Sequence, residues 1–275
     1  MHASDTVAVV GAGFIGAAVA RALLPETAVV LASRSGRPRE EAADARAVAL
    51  DVTDEGLDVG ALAEADRLVI GYAPGRGGDR RALYVDGTRR LLQRIGRPLR
   101  RVVWLGSTSA IADHDGWVDE DFSPMPETDR GRVQREAEAV VFDFGEATGT
   151  PVLALRLGGL YGPGRELDRI YRSRSPDPFP GHGYNPTNLV HRDDAVAAVL
   201  AALSAPADVH GIVHVVDDDH TPRRRMYEAL ARRHGVEAAA WRDPEPSPPV
   251  PVGKRVANAR LKDWLGVRLR HPTHS

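Results

Sequence analysis

Residues 7 to 16 read Val-Ala-Val-Val-Gly-Ala-Gly-Phe-Ile-Gly: an apolar, β-branched run, glycines spaced G-x-G-x-x-G, and then at once the apolar helical pattern of residues 17–24. A buried strand, a tight turn and a helix entering from the turn satisfy such a stretch. In that arrangement Gly11 permits the turn, and Gly13 lets backbone approach an anion, with Phe14 and Ile15 following it. Gly16 then lets the helix pack on the strand. The helix amides and dipole face the turn, so the pattern predicts a site for a dinucleotide pyrophosphate.

Strand and helix patterns alternate through the first two-thirds of the 275 residues. Strands are expected at 7–10, 28–32, 47–50, 67–71, 101–105 and 151–157, and helices at 79–95 and 129–147. This alternation predicts an α/β fold, a Rossmann-type doubly wound parallel sheet with a small C-terminal substrate-binding region. The expected division is a dinucleotide-binding core over 1–157 and a mixed region over 158–275. Within the latter, 189–216 returns to the core through a helix at 192–203 and a strand at 212–216. Segments 158–188 and 217–275 form the substrate-binding part, with a Pro-rich linker at 244–251 and a last short helix near 257–265.

The composition narrows the functional classes. A net charge of −2 gives no electrostatic footprint for nucleic acid. The absence of cysteine removes disulfides, thiolate catalysis and zinc–thiolate sites. No apolar run is long enough for a membrane span and the N-terminus has no signal pattern, so a cytoplasmic chain is expected. Arginine greatly outnumbers lysine, which occurs at Lys254 and Lys262 alone.

The second strand ends in Ser33-Arg34-Ser35 rather than in the acid that binds a ribose 2′-hydroxyl. Charge-assisted hydrogen bonds from these residues would hold a 2′-phosphate, which favours NADP over NAD. Asp51 and Val52, after the third strand, are expected beside the adenine. Gly71, Tyr72 and Ala73, after the fourth, are expected beneath the pyrophosphate and ribose.

Together with Gly11–Gly16, three later segments carry a resemblance. They are Trp104-Leu105-Gly106-Ser107-Thr108-Ser109, Leu155-Arg156-Leu157-Gly158-Gly159-Leu160-Tyr161-Gly162-Pro163-Gly164-Arg165, and Asn188-Leu189-Val190-His191-Arg192-Asp193-Asp194. In this order, and with an ending over 253–266 of similar type, the chain resembles the atypical and extended short-chain dehydrogenases/reductases, the NAD-dependent epimerase/dehydratase family. The resemblance implies a tyrosine with a lysine four residues later on the long helix, the lysine lowering a phenol pKa from about 10. The matching register instead places Arg130 and Gln134 at those positions, and no lysine precedes Lys254. Arginine is a poor general acid, although it can bind an anion or stabilise an oxyanion. Gln134 can hydrogen-bond a ribose.

The resemblance also puts Ser107 at the family's catalytic hydroxyl, beside Ser109, and makes Tyr161 the best-placed phenol for a substitute proton donor. His114 lies in the loop expected at the mouth of the site. His182, Tyr184 and Asn185, in a Gly/Pro-punctuated loop, are the candidate substrate contacts. No spacing of ligand residues argues for a metal. The expected function is NADP-dependent oxidation or reduction of a carbonyl or alcohol in a small metabolite, with a non-standard proton donor. The alternatives are a non-redox lyase, isomerase or cyclase on the same fold, or a catalytically silent NADP-binding sensor. The apolar stripe Val133, Ala137, Val140 and Val141 suits either a two-fold homodimer interface or packing within the chain.

Overall fold

The computed structural model describes residues 5–75, 77–168, 178–238, 240–244 and 252–272. Seven strands form one sheet: β1 (Thr6–Val10), β2 (Ala28–Ser33), β3 (Arg46–Ala49), β4 (Arg67–Ile70), β5 (Arg101–Ser107), β7 (Val152–Leu157) and β10 (Gly211–Val215). Their order across the sheet is β10-β7-β5-β4-β1-β2-β3, and every neighbouring pair is parallel. Parallel strands require crossovers, and their helices cover both faces. Accordingly β1, β5 and β7 are buried almost end to end and are mostly apolar, with Arg156 as a buried exception inside β7.

One face of the sheet carries α1 (Gly16–Leu23) and α4 (Arg192–Ser204), packed through Ala17, Val19, Ala195 and Val199. The other carries α2 (Thr88–Ile95) and α3 (Asp129–Thr148), packed through Leu91, Leu92, Ala137 and Val141. Thus Ala137, Val140 and Val141 of the apolar stripe are spent within the chain, with Val133 packed against the same core. Thr128 starts α3 by accepting the Gly131 N–H, and Gly149 ends it in the left-handed conformation.

Two strand pairs beyond the main sheet escaped the sequence pattern. Here β6 (Gly116–Val118) pairs with β11 (Lys254–Val256), and β8 (Gly159–Tyr161) with β9 (Leu189–His191). Each strand has three residues, too few to show a period of two. After β4 the expected single helix is interrupted, because Ala82–Gly87 winds as a π-helical turn before α2. Farther on, α5 spans Arg223–His234, and α6 is shorter than expected, Ala259–Asp263. The expected linker at 244–251 falls outside the described residues except for Pro244. No helix among the described residues is long and apolar enough to cross a membrane.

Beneath the sheet's C-terminal end sits a buried ion pair. Arg156 of β7 donates through Nε and Nη2 to the two carboxylate oxygens of Glu138 on α3, both at 2.8 Å. Its side chain is wholly buried and that of Glu138 nearly so. Beside it on β10, in register with Arg156, His214 is also fully buried. Burial and the neighbouring Arg156 charge push its imidazole down to about 3.

Removing one partner of a buried pair strands the other, which typically costs about 3–5 kcal/mol, whereas an apolar replacement of both is near neutral. Urea unfolding should therefore show Glu138→Ala destabilised by that amount and the Glu138→Leu/Arg156→Met double variant much less. For His214 the folded pKa lies below the unfolded one, so the unfolded chain binds more protons between about 3 and 6.5. Stability then rises with pH through that window. His214→Leu should flatten the rise by up to about 1.4 kcal/mol per pH unit, read from urea midpoints at stepped pH.

Candidate active site

The C-terminal ends of the strands open onto one cleft of about 1070 Å³. It lies where the strand order reverses, with β1 between β2 and β4, the usual place for a ligand in an open parallel sheet. Its floor depends on close backbone approaches. Gly11 has a φ of +119°, its N–H donates to Ala32 O at 2.8 Å, and an added Cβ would meet the Gly71 backbone at 2.7 Å. At Gly16 a Cβ would stand 1.8 Å from the Gly11 carbonyl oxygen, so helix and turn touch directly. A Cβ on Gly13, by contrast, would meet nothing within 4 Å. Gly13 borders the cleft, and that free space at a helix N-terminus fits a dinucleotide pyrophosphate.

At one end the cleft is bordered by Ser33, Arg34, Ser35, Asp51 and Val52, together with Thr53. Asp51 accepts from the Thr53 hydroxyl at 2.7 Å and from its N–H at 3.0 Å. These bonds, with a smaller contribution from Arg34, hold its carboxyl below the ordinary value. Phe14, Ile15, Gly71, Tyr72 and Ala73 border the middle. The Tyr72 hydroxyl is tied to Thr88, and burial raises that phenol above its ordinary range.

The far end gathers Tyr84, Ser107, Ser109, Arg130, Arg165 and Lys254. Ser107 Oγ accepts the Ser109 N–H at 3.2 Å and the Ser109 hydroxyl at 3.1 Å. Both acceptor positions are thereby filled, and its own hydrogen is left to donate into the cleft. Gln134, one turn along α3 from Arg130, is buried behind the cleft wall rather than on it.

Several expected site residues lie elsewhere. Tyr161, taken from the sequence as a substitute proton donor, does not border the cleft. Its ring packs edge-on against His191 at 5.2 Å, and burial, with Asp217, Asp194 and Asp219 around it, drives its phenol upward. His114 is exposed, and its ring lies tilted against that of Phe122 with centroids 4.9 Å apart. The His182–Asn185 loop is drawn to the start of α5: Gly183 O accepts the Arg224 N–H at 2.7 Å and Asn185 O accepts that of Arg223 at 3.0 Å. His182 Nδ1 accepts the Tyr184 N–H at 3.0 Å, and the Tyr184 ring lies under the Arg224 guanidinium at 5.0 Å. This anchoring keeps all three side chains off the cleft lining.

Among the cleft residues that the sequence pattern did not single out are Tyr84, Arg165 and Lys254. Lys254 arrives through the β6–β11 pairing, and its Nζ donates to Ile111 O at 2.6 Å. The signal for it was its scarcity, as one of two lysines in the chain. Outside the cleft, ligand atoms of His191, Asp193 and His271 lie within 4.8 Å of one another. His191 Nδ1 accepts the Asp193 N–H at 3.2 Å and so caps the start of α4.

A parallel doubly wound sheet with a glycine-cradled cleft at its switch point defines the class of dinucleotide-binding α/β proteins. The chain belongs to the NAD-dependent epimerase/dehydratase family, whose model matches residues 7–216. It is 30% identical to Protein YeeZ of Escherichia coli K12 over 275 residues, spanning 97% of this chain and 96% of that protein. Over 137 residues, 44% of each chain, it is 30% identical to a 3-diazoavenalumate denitrifying reductase of Streptomyces. Among solved structures, MoeE5 in complex with UDP-glucose and NAD superposes with a TM-score of 0.81 at 22% identity, covering 98% of this chain and 95% of that one.

The two glycines make opposite demands. Gly13→Ala should keep the melting temperature of the parent chain but weaken dinucleotide binding, because its methyl enters open cleft. Gly16→Ala should lower the melting temperature itself, since backbone must shift. Calorimetric titration with NADPH beside thermal melts of both variants checks the pair.

Proposed function

We propose that this chain is an NADP-dependent oxidoreductase acting on a carbonyl or alcohol of a small metabolite. The carrying observation is a single cleft running from the Ser33–Ser35 edge, past the open space at Gly13, to the Ser107 hydroxyl. The reduced dinucleotide supplies two electrons and a hydrogen to a carbonyl carbon when bound. The chain's residues do the rest. Gly11 and Gly13 admit the pyrophosphate, and Ser33, Arg34 and Ser35 take the 2′-phosphate. Asp51, held ionised by Thr53, is left for the adenosine end. Ser107 donates its hydrogen to the substrate oxygen and polarises the carbonyl. In this reading 158–188 and 217–275 form the substrate part, which delivers Arg165 and Lys254 to the far end. Arg165 is cationic, so a substrate bearing a carboxylate suits that end. The reductase name carried by the Streptomyces relative supports redox chemistry.

Calorimetry on protein stripped of nucleotide tests the cofactor. NADPH should bind more tightly than NADH, and Arg34→Ala should cost about 10- to 100-fold in NADPH affinity, the worth of a charge-assisted hydrogen bond. Absorbance of NADPH would then be followed across a panel of small keto acids, ketones and quinones. Equal or tighter NADH binding overturns the NADP assignment, and binding of neither overturns the oxidoreductase.

A further inference from the structure

The proton that accompanies reduction needs a donor, and the usual tyrosine position on α3 holds Arg130. Tyr84 faces the same end of the cleft from the other side of the sequence, in the π-helical turn after β4. Turns of this kind are frequent at functional sites. Its ring is fixed by aromatic neighbours, edge-on to Trp104 at 6.1 Å and stacked on Tyr72 at 6.4 Å. Arg130 shares the cleft lining with it. Burial raises this phenol above its ordinary value, while Arg130, Arg80 and the polar Gln134 side chain of α3 all act to lower it.

The other candidates on the cleft are already committed. Tyr72 is bonded to Thr88, and Lys254 Nζ to the Ile111 carbonyl. Ser107 is a hydrogen-bond donor but too weak an acid to part with its proton.

We propose that Tyr84 is the proton-transfer residue of this cleft, with Arg130 and Gln134, which stand where the family's dyad would be, acting as its positioning and tuning groups. The inference rests on the oxidoreductase reading above. In reduction the Tyr84 O–H bond breaks and a new O–H bond forms on the substrate oxygen. The carbonyl π pair moves onto that oxygen as the carbon receives a hydrogen and two electrons from the reduced nicotinamide dinucleotide. The phenolate left behind is met by the Arg130 charge and the Gln134 amide, then reprotonated by solvent. Oxidation runs the same exchange backwards. The phenol has thus moved from helix α3 to the turn before α2, while its cationic partner has remained on α3.

The test needs no known substrate. An aryl sulfonyl fluoride couples to phenolate oxygen, and peptide mass spectrometry reads the rate at each tyrosine. Tyr84 should be labelled in the parent chain, several-fold more slowly in Arg130→Ala and in Gln134→Ala, and at the parental rate again in Arg130→Lys. A Tyr84 merely packed against Trp104 would react independently of Arg130, and that result overturns the proposal. In parallel, Tyr84→Phe should lose at least about 100-fold in turnover of whichever carbonyl the parent reduces, with NADPH affinity kept within a few-fold. A fully active Tyr84→Phe also overturns it. Calorimetry on the parent chain separates the two readings, because failure to bind any dinucleotide removes the oxidoreductase itself, whereas intact binding with Arg130-independent labelling removes only the role of Tyr84.

Discussion

The contact between Gly16 and the Gly11 carbonyl is the constraint on which the cleft depends. A side chain of any size at position 16 would push α1 away from the turn, and the helix N-terminus would no longer point at the space above Gly13. The same compression runs sideways, since the Gly11 turn leaves room for nothing but hydrogen against the backbone of Gly71. Three chain segments therefore converge with backbone alone at their meeting point. This gives the anion site its shape before any side chain contributes.

Charge is distributed differently above and below the sheet ends. Below, Arg156 and Glu138 answer each other in a site closed to solvent, and His214 is held neutral beside them. Above, Arg34, Arg130, Arg165 and Lys254 border an open cleft that also contains Asp51. The buried pair fixes how α3 lies on β7, and through α3 it sets where Arg130 and Gln134 stand. An interaction that stabilises only modestly in net terms thus ties together the strand and the helix that border this end of the cleft.

Local patterns in the sequence carried much of the architecture. The glycine spacing, the apolar strands and the helical run of α3 each declare themselves locally, because periodicity and turn chemistry are local properties. The far end of the site was less legible for an equally physical reason. Tyr84 borders the cleft from Ala82–Gly87, which winds as a π-turn, a departure from the 3.6-residue period that no residue type signals. Lys254 reaches it through a three-residue strand pairing with a partner almost 140 residues earlier in the chain. Tyr161 looked well placed in the family register, yet its ring turns toward His191. The His182–Asn185 backbone is tethered to the start of α5, a pairing some forty residues apart that the loop's own residues do not signal. A resemblance fixes register along a helix or strand, but it does not fix which way a loop side chain turns.

The placement of β10 at the sheet's edge bears on how the chain acquires its structure. Strand β7 is central and wholly buried, yet one of its two edges is covered only by residues 211–215. During synthesis, the sheet up to β7 can assemble while that edge still presents unpaired amides and carbonyls on an apolar strand, the kind of surface that recruits other strands. Some fifty residues of loop, short strands and α4 must emerge before β10 can close it, and the β6–β11 pair closes later still. The glycine-rich turn can thus form early in the chain's life, whereas the side of the cleft that Lys254 borders is completed last. The interval between them is when this protein is most exposed to misassembly.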